Sequence, residues 1–565
     1  TFISVTTSLT TGGVATVAAN GGTLDIVALT ASAGATLTAS DAVTLGSARA
    51  TAGGISVTST NAGIAAARIE AARDATLGAA ASISIANSLM SGGAVNVTAR
   101  GGVLAIDSLL AGANSSLKAV GAVTLGSART TDGDLSISST GAGITAADVK
   151  AEDDAILSAA TGIVVTNGVI AGGGARLDVS DGALELRSLN AGATSALMAS
   201  GAITLGSAAT SAGDLAIASA NASITAAGID AAAAATLTAG TSIAITTSLT
   251  TGGAATVAAN GGALDIVALT AGASSSLVAS GAVALGEATA TAGKLSVTSS
   301  NAGVTAASID AAQDVTLTAE TSIAVSGHLT AGGVVTAAAN GGTLDIVSLT
   351  AGAGSTVVAS GAVRLGSATS AADLSVISTG AGVAAATIAA AGDVTLAART
   401  AIAVSAGMTS GGAAHLDVSD GTLDVANLVA GRSSVLTARG AVKLGSATTS
   451  AGDLAIASTD AGIAASSIVA AGDVTLGARS VIAVASGLFS GGAAHLDAGS
   501  GSLNVASMLA GGSSTLTASG AVTLGSVTAM VGDLSVTSTN AGITAASIDV
   551  ARDATLRAGA FVSVA

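Results

Sequence analysis

One phrase, GAVTLGSA, recurs through the chain with small changes. Its seven copies begin at residues 41, 121, 201, 281, 361, 440 and 520, a step of 80 residues with one step of 79. A repeat at fixed step means that one structural unit is stacked on itself, since each unit can bury its apolar face only against a neighbour. The 80-residue unit divides again into four lines of 20. Residues 281–300 read GAVALGEATATAGKLSVTSS, and residues 301–320 read NAGVTAASIDAAQDVTLTAE. Laid out in this way, the sequence gives 28 lines and a remnant, AFVSVA, and the single short line is 361–379.

The seventeenth position of each line identifies the core. It runs Val17, Leu37, Val57, Leu77, Val97, Leu117, and is Val, Leu or Ile in 27 of 28 lines, with Ala337 the exception. Around it, stretches such as DATLTA and SSLVAS alternate polar and apolar, the period of a strand. A second alternation opens most lines (GAVTLG, TSIAV), and an apolar residue near the ninth position marks a third straight segment. Gly, Asn and Asp collect between these segments, as corners require. The pattern predicts an all-β chain, a parallel β-helix of about 28 coils of 20 residues grouped in 80-residue super-repeats. Residue i should pair with residue i+20 at about 4.8 Å. Residues 1–565 read as one continuous repeat domain, a segment of a longer array.

Composition agrees with this reading. Pro is absent from all 565 residues, as it must be where strands bond on both sides. Trp and Tyr are absent and Phe numbers three, which suits a narrow interior filled by small branched side chains. Leucine-rich repeats want a different motif, and calcium-binding nonapeptides want a period of nine. The Ala-rich stretch 226–240 has helical propensity, but its columns read as strand in every other unit. Mean hydropathy is +0.75, yet no apolar run approaches the roughly 18 residues of a membrane span. The net charge of −16 argues against nucleic-acid binding, which needs clustered cations. TFISVTTSLT has no basic region or cleavage site of a signal peptide. Cysteine is absent, so neither disulfides nor thiol chemistry enter.

Lines such as NAGITAASIDVARDATLRAG (540–559) and GGTLDIVALTASAGATLTAS (21–40) resemble the repeats of filamentous haemagglutinin-like exoproteins, in a pattern G-x-h-x-h followed about ten residues later by h-x-h-x-A. The resemblance covers essentially the whole chain. It implies a right-handed β-helix, exported by two-partner secretion through an outer-membrane partner and held at the bacterial surface or released. The family's secretion domain carries Asn-Pro motifs that this Pro-free chain lacks. The implied function is a non-catalytic stalk or fibre for adhesion, cell–cell contact or matrix structure. A self-assembling filament or coat subunit is the alternative, associating end to end or side by side; an ice-binding β-helix is a minor one. The Thr strands that suggest ice binding are interrupted by Lys118, Arg176, Asp178, Met198 and Val278.

No enzyme is expected. The histidines, His328, His415 and His495, stand on separate coils, and no G-x-S-x-G elbow occurs. The sharper chemical signal is acidic. Asp134 and Asp154 share a column in adjacent coils, as do Asp373 and Asp393, Asp453 and Asp473, and Asp533 and Asp553. Stacked like charges repel, and a cation would offset this. Asp132, Asp134, Glu152, Asp153 and Asp154 form the densest corner and are the candidate ligands for weak calcium binding; Lys150 nearby would compete. No other cofactor is expected. Lys294 above Asp314 reads as an ion pair.

Overall fold

The structure is a computed structural model describing residues 2–565. Among these there is no helix, and so none long and apolar enough to cross a membrane. The chain forms two compact units, Thr1–Ala284 and Leu285–Ala565. Each is a β-solenoid of parallel strands in stacked coils of about 20 residues, and the chain makes about 28 turns. The expected coil is therefore present.

Within the first unit, one coil supplies Leu104–Ala111 and Ser115–Ala119, and the next supplies Val123–Thr130 and Leu135–Ser139. In the second unit, Thr422–Ala430 and Ser434–Ala438 are followed by Val442–Thr449 and Leu454–Ser458. The eight-residue strand is two straight segments. In Leu24–Ala31, Leu24 and Ile26 point inward, Val27 and Ala28 both turn away from the core, and Leu29 and Ala31 point inward again. Two successive residues off the alternation make a corner, so each coil has three flat sides.

The seventeenth-position column is the core. Leu37, Val57, Leu77, Val97, Leu117, Ile137, Leu157, Leu177 and Leu197 are each at most 1% exposed. Ala337 is buried in the same column, between Leu317 and Val357. The buried polar side chains are Ser and Thr, and none leaves a buried nitrogen or oxygen without a partner among the described residues. Ser139 donates its hydroxyl to the Gly121 carbonyl at 2.8 Å, Ser219 to Gly201 at 2.7 Å, and Ser458 to Gly440 at 2.8 Å. Each bond ties the end of a GAVTLGSA-type coil to its own beginning.

Register departs in part from a uniform step of 20. The five-residue strands keep it, as in Val57↔Leu77 and Val97↔Leu117. The opening segments of the long strands do not: Leu24 pairs with Val43, Val43 with Ile64, Ile64 with Ile83 and Ile83 with Leu104. The step thus alternates between 19 and 21. Moreover, one coil in four carries an additional corner residue. Register shifts fall within Ile83–Ser91, Gly162–Ala171, Ile243–Thr251, Ile323–Ala331, Ala401–Ser410 and Ile482–Ser490. At the first of these, Ala86 and Asn87 stand where the coil before has Ala67 and the coil after has Asp107. Here is the physical meaning of the 80-residue period: a bulged coil recurs every fourth turn.

The phrase GAVTLGSA marks another coil of the four. Its second glycine sits at the corner directly against the coil before. A methyl group on Gly46 would overlap the Val27 carbonyl oxygen, and the same holds for Gly126 on Asp107, Gly206 on Arg187, Gly366 on Val347, Gly445 on Ala426 and Gly525 on Ala506. Close approach of two backbones, rather than an unusual φ, requires glycine there.

Candidate functional site

The acidic column lies in the turn that leads into the five-residue strand. Backbone amides at this turn have no ladder partner of their own and need acceptors. The side chains of the preceding coil supply them. Asn114 Oδ1 accepts the Asp134 N–H at 2.7 Å, Asp134 Oδ1 accepts the Asp154 N–H at 3.0 Å, and Asp154 Oδ1 accepts the Gly174 N–H at 2.7 Å. In the second unit Asp373, Asp393, Asp453 and Asp473 accept from Asp393, Ala413, Asp473 and Ala493 at 2.7–2.8 Å. Ser433 and Ser513 play the same part through their hydroxyls. These stacked carboxylates therefore have structural partners, and their repulsion is offset by charge-assisted hydrogen bonds to N–H dipoles. Sequence reasoning saw the stacking but not the amide. The signal was the presence of Asn114, Thr194, Ser433 and Ser513 in the same column, since acceptor capacity is what these residues share with Asp.

Of the five candidate calcium ligands, Asp134 and Asp154 are thus tied through Oδ1, with their second oxygens left for solvent. Asp132, Glu152 and Asp153 are exposed. Two of these have their backbone N–H held, Glu152 by the Thr130 hydroxyl and Asp153 by the Gly133 carbonyl. Among the described residues, no three His, Asp or Glu side chains are gathered in a way that could hold a metal ion.

Other polar groups stand singly or in short ladders. Lys294 Nζ lies 2.8 Å from Asp314 Oδ2. That bond, with the Val334 N–H, holds the Asp314 carboxyl below its ordinary value. His328 Nε2 is 2.9 Å from Asp310 Oδ2, a partner missed because it lies 18 residues back rather than 20. His415 and His495 are exposed on the five-residue ladder beside Thr395 and Thr475. In the second unit, Arg439 bridges Asp420 at 3.2 Å and Asp460 at 2.7 Å, and Arg479 reaches Asp460 at 3.4 Å. This alternating ladder lowers the Asp460 carboxyl, chiefly through its bond to Arg439, and raises Arg439, chiefly through Asp460. Lys118, Arg176, Asp178, Met198 and Val278 all occupy the outer face of the five-residue ladder, so the hydroxyl face is broken there.

Neither a family model, nor a curated protein, nor a solved structure matches this chain. The hollows on the surface are open troughs between coils. One, of about 510 Å³, is lined by Arg49, Glu70, Met90, Leu110 and Thr131. Its ion pair, Arg49 with Glu70 at 3.4 Å, spans two coils in register.

Proposed function

We propose that the chain is a non-catalytic fibrous segment of a secreted or surface-attached bacterial protein, the stalk or fibre of a filamentous haemagglutinin-like adhesin. The observation that carries this reading is the repetition of the surface itself. The same turn acceptor, the same corner glycine and the same closing serine return in one 80-residue unit after another, while the three histidines and the ion pairs fall on scattered coils. A chain built in this way supplies length, stiffness and area rather than one reactive centre. The resemblance of 21–40 and 540–559 to haemagglutinin repeats supports an extracellular place, at the outer membrane or released from it, with a secretion partner there. Adhesion, cell–cell contact and matrix structure are the roles such a fibre serves.

In-frame deletion of one 80-residue unit tests the reading. Removing residues 121–200 or 441–520 takes out four whole coils and rejoins the pattern in phase. A stalk keeps its circular-dichroism spectrum and its attachment to cells or matrix with either unit gone, and antibody reaches it on intact cells. If one deletion abolishes attachment while the remaining chain stays folded, a local binding site carries the function and the stalk reading fails.

A further inference from the structure

Four Asn-Gly dipeptides occur in the chain, at 20–21, 167–168, 260–261 and 340–341. Asn-Gly is the dipeptide in which a backbone amide most easily attacks the preceding side chain, because glycine has no Cβ to shield its nitrogen. Two features decide whether the attack proceeds in a folded chain. The glycine N–H must be free to lose its proton, and the asparagine carboxamide must be free to turn.

The four sites differ in these respects. Asn167 donates its side-chain amide to Asp148 Oδ2 at 3.0 Å, and Gly168 is buried. The Gly21 N–H is held by the Ser40 hydroxyl. The remaining two sites share the sequence AANGG and the same place in the coil, with Asn260 N–H on the Ala239 carbonyl and Asn340 N–H on the Ala319 carbonyl, both at 2.9 Å. All four residues, Asn260, Gly261, Asn340 and Gly341, are exposed. One bond separates the two sites. The Gly341 N–H donates to the Glu320 carbonyl at 2.6 Å, whereas the Gly261 N–H has no acceptor among the described residues.

We infer that Asn260–Gly261 is a site of spontaneous covalent modification, through succinimide formation. The Gly261 amide gives up its proton to water or hydroxide, and its nitrogen bonds to Asn260 Cγ. The bond from Cγ to the side-chain nitrogen breaks, and ammonia leaves. Water then opens the five-membered ring at either carbonyl, giving aspartate or isoaspartate. Water is the only co-reactant, and no oxidant or reductant enters. Aspartate adds a carboxylate to an exposed turn. Isoaspartate adds a methylene to the main chain between two coils, where the register is otherwise fixed by the strands Ala255–Ala259 and Leu264–Ala271.

The test is peptide mapping by mass spectrometry of the folded chain aged in mildly alkaline buffer, with isoaspartyl methyltransferase labelling to count the isoaspartate. Conversion at Asn260 is expected about fivefold faster than at Asn340, the factor that one hydrogen bond worth about 1 kcal/mol gives. In the urea-unfolded chain the two sites should convert at the same rate, since their local sequences match. Asn260→Gln should remove the fast phase while leaving the melting curve as in the parent. Equal rates in the folded chain, faster conversion at Asn340, or the same ratio after unfolding would each overturn the inference.

Discussion

The corner at Gly206 and the corner at Thr246–Thr247 turn the same chain by opposite means. At Gly206 the backbone of one coil lies on the Arg187 carbonyl of the coil before, with no room for a side chain. At Thr246–Thr247 the corner is one residue longer than in the coil before it, and both residues face solvent. The first corner is defined by the atom it excludes, and the second by the residue it adds. A solenoid can absorb an additional residue wherever the surplus points outward, since each segment beyond the corner regains its ladder. It cannot absorb an additional atom where two backbones touch. This difference explains why LGS is repeated almost letter for letter while the bulged corner varies freely among AN, TN, TT, SG, SA and AS.

The largest effect is expected where neither device helps, on the inward side that both corners enclose. Leu237 is fully buried between Ile217 and Val257. Leu237→Asp leaves an unpaired charge inside and should cost about 3–5 kcal/mol in urea unfolding. A melting curve like the parent's would show that the column is not the core.

The corners themselves come next. Gly206→Ala should cost about 2 kcal/mol through overpacking, while Thr247→Ala should stay within about 0.5 kcal/mol. Gly78 serves as the open control, because nothing lies within 4 Å of a Cβ there. Gly78→Thr should stabilise by up to about 1 kcal/mol. Equal costs at 206 and 247 would mean that the crowding is relieved by small shifts and that the contrast is geometric only.

A smaller effect separates structure from cation binding in the acidic turn. Asp154→Ala removes the acceptor of the Gly174 N–H and should cost about 1 kcal/mol, whereas Asp154→Asn keeps an acceptor and should cost less. Melting with calcium against melting with chelator, for the parent and for the pair Asp134→Asn/Asp154→Asn, tests calcium on the same residues. A calcium-dependent rise in the parent that the pair lacks would assign these carboxylates a ligand role besides the structural one.

The smallest effects concern Asp460 and Ala337. The Asp460 carboxyl is depressed by Arg439 and then Arg479, so the folded chain binds its proton less readily than the unfolded chain does. Its contribution to stability is present above the ordinary value of 3.8 and is lost as pH falls from there through the lowered value of the folded chain. The pair is exposed, and the effect is correspondingly slight. Asp460→Asn should flatten the acid side of the melting-temperature profile, and an unchanged profile would show that the ladder is screened. Ala337→Val should be neutral or mildly stabilising by thermal melting, and a clear loss would mean that Leu317 and Val357 already fill the space.

Much of this was legible in the sequence. The 20-residue line, the column through Leu37 and Val57, and the exclusion of proline follow from alternation and spacing, which burial enforces in every coil. The bulge was not legible, because Ala86 and Asn87 are small residues like their neighbours at the surface and leave the line length at 20. The turn was half legible. Asp134 above Asp154 is visible as a stack of charges, but the amide that each one accepts belongs to the backbone, which a sequence does not display. The Asp420–Arg439–Asp460–Arg479 ladder escaped for a related reason, since its members are 19 and 21 residues apart across the shifted lines.

The side-chain acceptors of the turn also point one way. Asn114 serves the coil after it, as do Asp134 and Asp154 in their turn. A coil that has already formed therefore presents a ready template to the segment that follows it in the chain, and the newcomer brings the donor. Such a chain need never search far. Its contacts reach about one coil along the sequence however many coils it has, so the entropy of closing each new loop stays constant as the array lengthens. Growth by copies of one unit then costs evolution little in folding speed, and length becomes a property that duplication can adjust.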